Sequence, residues 1–154
     1  MSIDKVGVIG AGLMGNGITQ ACAVAGIDVV MVDINDAAVQ KGLNTISGSL
    51  DRLVKKEKMT AEQKAAAMAR IKATTKLADV AGSDIVIEAA TENLDLKLKL
   101  LKDIEAAIGP DALIASNTSS ISITKLAAAT GRPDKFIGMH FFNPVPMMAL
   151  VELI

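Results

Sequence analysis

Three glycines near the amino terminus are spaced as G-x-G-x-x-G. They are Gly10, Gly12 and Gly15, in the segment GAGLMG. In this pattern the first glycine permits a tight turn, the second lets the backbone approach a diphosphate, and the third lets a helix pack closely on a strand. Leu13 and Met14 would then present their backbone N–H groups to the diphosphate at the amino end of that helix. The spacing is a weak signal alone, so its meaning depends on the surrounding elements.

A carboxylate follows at the distance where such a motif needs one. Asp33 closes the apolar run IDVVMV, about 20 residues beyond the glycines. At the end of a strand, its carboxylate can accept hydrogen bonds from both hydroxyls of an adenosine ribose and would repel a 2′-phosphate. No arginine follows in residues 34–36. The pattern therefore favours NAD over NADP, and the alternative is a glycine turn followed by a helix-capping Asp33 in some other α/β protein.

The elements that must position these residues alternate between strands and helices. Apolar runs rich in β-branched residues predict strands at 5–9, 27–32, 85–90, 112–115 and 135–142. Helical spacing predicts helices at 13–25, 94–108 and 123–129. Residues 94–100 also alternate like a strand, but their Lys and Asp favour a helix. The alternation predicts an α/β fold with a Rossmann doubly wound, mostly parallel sheet in a single domain, residues 1–154.

A helical hairpin is predicted after the second strand. Apolar residues spaced by three and four indicate a helix from about residue 36 to residue 58. Thr60 and Gln63 have the form of a capping box, and Ala65, Met68 and Ile71 continue the helical spacing. Because this connection is longer than a usual crossover, we expect residues 36–71 to protrude from the sheet as an arm.

Composition excludes several classes of function. A net charge of −1 gives no general attraction for nucleic acid or an anionic membrane, and no metal is expected. Cys22 has no second thiol to pair with, and the N-terminal residues lack an export signal, so a cytoplasmic location is expected. The uncharged stretch 6–27 is long enough to span a membrane, but its six glycines and three polar residues make a poor lipid-facing helix.

Three further segments resemble the L-3-hydroxyacyl-CoA dehydrogenase family, and within it the 3-hydroxybutyryl-CoA dehydrogenases. They are TENLDLK at 91–97, SNTSS at 116–120 and HFFNPVP at 140–146. HFFNPVP is the most specific of the three. With GAGLMG and Asp33, the resemblance covers essentially the whole chain in the expected order.

The resemblance implies roles for individual residues. His140 falls at the catalytic histidine, Glu152 at its paired carboxylate, and Ser119 at the serine that contacts the substrate oxygen. The positions that the family places beside the nicotinamide half of the cofactor are Glu92, Lys97, Asn117 and Asn143. The substrate contacts outside the reacting centre fall on Asn143 and, where the family binds coenzyme A, on Ser49 and Lys56.

The predicted elements agree with part of this assignment. Ser119 follows one strand and His140 ends another, so both belong at the carboxyl edge of the sheet. A chain reversal at Pro144 and Pro146 would bring His140 opposite Glu152. Without the resemblance, a lone histidine at a strand end such as His140 is more often structural, and Ser119 would be interpreted as a turn or capping residue. The cations that could equally form a solvated helix face are Arg52, Lys55, Lys56 and Lys58.

The function implied is NAD-dependent interconversion of an (S)-3-hydroxyacyl-CoA and a 3-oxoacyl-CoA. A short acyl chain such as that of acetoacetyl-CoA is expected, in fatty-acid or butanoate metabolism. The family carries a second, all-helical domain that provides most of a homodimer contact. Because the sequence stops at Ile154, we expect this chain alone to bind NAD and to turn over acyl-CoA poorly. The alternatives are a non-catalytic dinucleotide-binding or structural module and a dehydrogenase of a free hydroxy acid, which would have no use for Lys56.

Overall fold

The computed structural model describes residues 2–154 and contains one sheet of seven strands. The strands are β1 (Lys5–Ile9), β2 (Asp28–Val32), β3 (Ile71–Thr74), β4 (Ile85–Glu88), β5 (Leu113–Ser116), β6 (Phe136–Phe141) and β7 (Val151–Leu153). Their order across the sheet is β3-β2-β1-β4-β5-β6-β7. All neighbours pair in parallel except β6 and β7, which are antiparallel. The predicted α/β fold with a mostly parallel sheet is confirmed.

Five α-helices flank the sheet: α1 (Leu13–Val24), α2 (Asp36–Lys55), α3 (Ala61–Ala69), α4 (Leu94–Ala107) and α5 (Ile123–Ala128). Side chains cap the amino ends of most of them, because free backbone N–H groups there need acceptors. The Thr60–Gln63 capping box forms as predicted. Asn93 accepts a hydrogen bond from the N–H of Leu96, so the ambiguous leucine segment begins as a helix.

Two helices follow β2, but both end earlier than predicted, α2 at Lys55 and α3 at Ala69. That they protrude from the sheet as an arm stays a prediction. The prediction that helical structure continues through Ile71 is wrong, because Ile71 begins β3 and pairs with Val29 of β2. A four-residue edge strand is too short for its own sequence pattern to distinguish it from a helix. Its strand character depends on the neighbouring strand. Ile46 and Leu50 of α2 and Ala67 of α3 are buried in the same core as α1. The hairpin therefore packs along α1, and its connecting residues 55–58 are exposed.

Two apolar layers cover the two faces of the sheet. One contains Val8 and Met31 with α1, α2 and α3, and the other contains Val30 and Val86 with α4 and α5. The uncharged stretch 6–27 is divided into most of β1, a loop, α1 and a turn. Within residues 2–154, no helix combines the length and the apolar character needed to cross a membrane.

The order of the strands reverses between β1 and β4. The chain leaves β1 for α1 on one face of the sheet and leaves β4 for α4 on the other. A crevice therefore opens beyond the carboxyl ends of these two strands, which is where ligands bind in open α/β sheets.

Two glycines of the first motif give a matched test of the packing at this crevice. A Cβ at residue 15 would lie 1.9 Å from the carbonyl oxygen of Gly10, whereas a Cβ at residue 12 would meet nothing within 4 Å. Gly15→Ala is expected to lower the free energy of unfolding by about 1–3 kcal/mol or more, and Gly12→Ala by less than about 1 kcal/mol. Denaturant titration measures both. Equal stability of the two variants would contradict the close approach of α1 to β1.

Candidate functional site

Asp33 holds the glycine loop in place. Its Oδ2 accepts a hydrogen bond from the N–H of Ala11 at 2.8 Å, and its Oδ1 accepts one from the N–H of Ile34 at 2.6 Å. The N–H of Gly10 donates to the carbonyl of Val32 at 2.7 Å. The loop is therefore fixed to the end of β2 from two positions. This supporting role of Asp33 was not predicted from the sequence.

The amino end of α1 is open toward a cleft. No side chain caps it, and no atom occupies the space that a Cβ of Gly12 would take. The cleft measures about 410 Å³ and is lined by Gly12, Asp33, Lys41 and Thr45 among others. Free N–H groups at a helix amino end bind anions, and a carboxylate on the same cleft suits a ribose. The residues present therefore fit a dinucleotide.

Glu88, Lys97 and Ser116 form a buried polar network beneath the edge of the sheet. Glu88 is fully buried and Lys97 is 1% exposed, and their side chains form an ion pair. The Ser116 hydroxyl donates to Oε1 of Glu88 at 2.8 Å. Oε2 of Glu88 accepts the N–H groups of Ala90 at 2.8 Å and Thr91 at 3.2 Å. The network thus joins β4, β5, α4 and the loop after β4.

This network changes the expectation for Lys97. The family resemblance puts Lys97 beside the nicotinamide, but its ammonium group lies within the protein against Glu88. A direct contact between Lys97 and the cofactor stays a prediction. In the structure, Lys97 supports the loop after β4 through its ion pair with Glu88. The sequence held a signal for the pair, because Lys97 shares a helix face with Leu101 and Ile104. A charge inside the apolar run IVIEAA also requires a partner.

Glu92 holds the loop that carries Ser119. Its Oε2 accepts hydrogen bonds from the hydroxyl of Thr118 at 2.7 Å and of Ser120 at 2.6 Å. Partial burial raises the pKa of Glu92, but these hydrogen bonds and the charge of Lys97 outweigh it, so the pKa lies below its usual value. The carboxylate is therefore ionised at neutral pH and fixes the residues on either side of Ser119.

His140, Glu152 and Ser119 line one cleft of about 390 Å³. His140 of β6 is the direct cross-strand partner of Glu152 of β7. The chain reversal expected at the two prolines therefore places them opposite each other. Within residues 2–154, no hydrogen bond joins the three side chains. His140 and Glu152 are therefore cross-strand neighbours whose side chains are not hydrogen-bonded to each other.

Two contacts fix the histidine strand. The His140 ring lies against Phe142, with ring centroids 4.6 Å apart and the planes tilted by 57°. Oδ1 of Asn117 accepts the N–H of Phe141 at 2.9 Å. Asn117 therefore ties the end of β5 to β6. Its contact with the nicotinamide stays a prediction.

A third cleft, of about 530 Å³, lies between α1, α2 and the turn after β6. Ser49 and Lys56, the two residues expected to contact coenzyme A, both line it, and so does Asn143, which was expected beside the nicotinamide. Arg52 and Lys58 also line this cleft, whereas Lys55 does not. Asn143 belongs to this cleft and does not line the one that contains His140.

Comparisons with known proteins identify the family of this chain. Residues 5–154 match the family model described as the NAD binding domain of 3-hydroxyacyl-CoA dehydrogenase. The curated 3-hydroxybutyryl-CoA dehydrogenase of Bradyrhizobium diazoefficiens is 54% identical over 152 residues, covering 99% of this chain and 52% of that protein. The fatty acid oxidation complex subunit alpha of Pseudomonas putida is 46% identical over 152 residues, covering 99% of this chain and 21% of that protein.

A solved structure has nearly the same backbone. The (S)-3-hydroxybutyryl-CoA dehydrogenase of Ralstonia eutropha superimposes with a TM-score of 0.97 and 68% identity, covering 99% of this chain and 54% of that one. The sheet and the glycine loop define a Rossmann domain that uses NAD. The chain belongs to the 3-hydroxyacyl-CoA dehydrogenase family, as its NAD-binding domain. It spans about half the length of the Bradyrhizobium relative.

The buried ion pair gives a test with a matched control on the same helix. Lys97→Met leaves Glu88 buried and unpaired, so the free energy of unfolding is expected to fall by about 3–5 kcal/mol. Lys99→Met, at an exposed position of α4, should change it by less than about 0.5 kcal/mol. Chemical denaturation of both variants makes the comparison. If Lys97→Met lowers the free energy of unfolding no more than Lys99→Met does, the ion pair of Glu88 and Lys97 does not stabilise this edge of the sheet.

Proposed function

We propose that the protein catalyses the NAD-dependent interconversion of an (S)-3-hydroxyacyl-CoA and a 3-oxoacyl-CoA with a short acyl chain, such as acetoacetyl-CoA. The observation that carries the proposal is the pairing of His140 with Glu152 across β6 and β7, in a cleft shared with Ser119. This cleft lies at the carboxyl edge of the same sheet as the glycine loop. A protein that only bound a dinucleotide would need the loop and Asp33, and would have no use for a base.

The three residues of this cleft have complementary roles. NAD, when bound, supplies the acceptor for the hydride. His140 takes the proton of the substrate hydroxyl, because imidazole exchanges protons near neutral pH. Glu152 orients the ring and stabilises the imidazolium that forms, as the acidic member of a catalytic triad does. Ser119 positions the substrate oxygen by hydrogen bonding.

The remaining site residues are assigned to binding. Gly10 and Gly12 would hold the diphosphate of NAD together with the backbone N–H groups of Leu13 and Met14, and Gly15 lets α1 begin close enough to β1 for this. Asp33 accepts the hydroxyls of the adenosine ribose. The residues assigned to the nicotinamide edge are Glu92, Asn117, Asn143 and, through the loop it supports, Lys97.

Coenzyme A is assigned to the cleft beside α2. Its phosphates carry negative charge, and Arg52 and Lys56 supply positive charge at the rim beside the hydroxyl of Ser49. A dehydrogenase of a free hydroxy acid would not need this rim. The place of the reaction in fatty-acid or butanoate metabolism and the cytoplasmic location belong to the same proposal.

The cofactor preference is tested by a ratio of affinities. Asp33 also accepts a hydrogen bond from the N–H of Ala11, so Asp33→Ala is expected to disturb the glycine loop and weaken the binding of both NADH and NADPH. The binding of NADH should weaken further, because its ribose contact is lost. The ratio of the two dissociation constants should therefore shift about tenfold or more toward NADPH. Gly12→Ala is the matched control, since a methyl group in the cleft at the amino end of α1 should weaken the binding of both cofactors equally. Fluorescence titration measures the six constants, two each for the unsubstituted chain, Asp33→Ala and Gly12→Ala, and an unchanged ratio in Asp33→Ala would refute the role of this carboxylate.

The catalytic assignment is tested with acetoacetyl-CoA and NADH in a protein that joins this chain to the helical domain expected from the family resemblance. His140→Ala is expected to lower kcat by about 10²–10⁴-fold, because general acid–base catalysis contributes this much. The dissociation constant for NADH should change less than about twofold, since the glycine loop is untouched. Added imidazole should restore part of the activity. Full turnover by the variant would exclude His140 as the base.

A further inference from the structure

Gln20 is a buried amide whose side chain has no hydrogen-bond partner within residues 2–154. It lies in α1, is 3% exposed, and lines the cleft of about 530 Å³ between α1, α2 and the turn after β6. Its nitrogen and oxygen are not among the fully buried unpartnered atoms of residues 2–154, which are Oγ1 of Thr19 and Oγ of Ser83, so the polar end of the amide reaches the cleft. An amide kept at the wall of an open cleft therefore points to a ligand group that pairs with it.

A second amide lies one helical turn before Gln20. Asn16 is 8% exposed and lines the same cleft. Its Nδ2 donates to the carbonyl of Ala11 at 3.4 Å, near the limit for a hydrogen bond, and its Oδ1 has no donor among the described residues. Residues four apart in a helix lie on one face. Asn16 and Gln20 therefore form an amide strip along the wall of the cleft.

The turn after β6 is closely packed on α1 and adds apolar surface to the cleft. A Cβ at residue 17 would lie 2.8 Å from the Cβ of Val145, so the turn after β6 packs directly on α1. Leu53 and Met147 add further apolar surface, and Arg52 lies at the rim. A ligand that matches these features is an extended chain that carries amides between methylene groups and has an anionic end.

We propose that Gln20, assisted by Asn16, recognises the amides of the pantetheine arm of an acyl-CoA and thereby sets the position of its thioester. This inference rests on the proposed function and adds a positioning residue to it. Each pantetheine amide offers one N–H and one carbonyl, and the carboxamide of Gln20 can both accept and donate. The cations of the rim then bind the phosphates at the far end of the arm, which fixes its direction in the cleft.

The 154-residue chain itself serves for the test, with four probes in calorimetric titration: coenzyme A, pantetheine, 3′,5′-ADP and NADH. Pantetheine carries the amides without phosphate, and 3′,5′-ADP carries phosphate without the amides. Gln20→Met keeps the length of the side chain and removes its hydrogen-bonding groups. We expect it to raise the dissociation constants of coenzyme A and pantetheine about tenfold, and to leave 3′,5′-ADP and NADH within about twofold.

Lys56→Met is the matched control and should show the crossed pattern. It should weaken coenzyme A and 3′,5′-ADP and leave pantetheine unchanged, because it removes charge from the rim alone. Gln20→Glu is the second variant, which keeps the shape and loses both amide hydrogens. It should also weaken the binding of pantetheine. If Gln20→Met lowers the melting temperature, the test rests on Gln20→Glu.

Three outcomes would overturn the inference. Unchanged binding of coenzyme A and pantetheine in both Gln20 variants would refute the amide contact. Weakened binding of NADH to the same extent would assign Gln20 to the cofactor and not to the acyl carrier. Failure of the unsubstituted chain to bind coenzyme A at all would refute the proposed function of this cleft, and the inference with it.

Discussion

The close approach of α1 to β1 is the constraint on which the other sites depend. A Cβ at residue 15 would lie 1.9 Å from the carbonyl oxygen of Gly10, so only glycine allows the helix to begin where it does. That start places the uncapped amino end of α1 over the crevice, and it lets Asp33 reach the N–H of Ala11. The same helix carries Asn16 and Gln20 into the neighbouring cleft. One helix therefore contributes to both the cleft beside the glycine loop and the 530 Å³ cleft, and Asn16 lines both of them.

The opposite side of the crevice is held by polar groups. Glu88 fixes the loop after β4 through two backbone N–H groups, and Glu92 at the end of that loop fixes the hydroxyl residues around Ser119. Buried ion pairs contribute little net stability compared with apolar packing, but losing one partner is costly. Glu88 and Lys97 therefore act mainly by holding one arrangement of the loops, which a reacting geometry requires.

Much of the fold follows from local patterns along the chain. Apolar runs gave the central strands, and the Thr60–Gln63 capping box marked where one helix begins. These signals suffice because the strands are buried on both faces and each cap acts within one turn. The edge strand β3 was missed, because four residues that also fit helical spacing become a strand only when β2 is beside them.

Residue types and spacing alone determined the glycine loop, the carboxylate of Asp33 and the family resemblance. Each of them can be recognised within a short segment of the chain. Tertiary structure alone decided which side chains meet. It turned Lys97 inward to Glu88, tied Asn117 to β6, and left Gln20 buried beside an open cleft. These outcomes depend on contacts between segments far apart in the chain, and the free energy of such contacts is set by burial, which no single segment encodes.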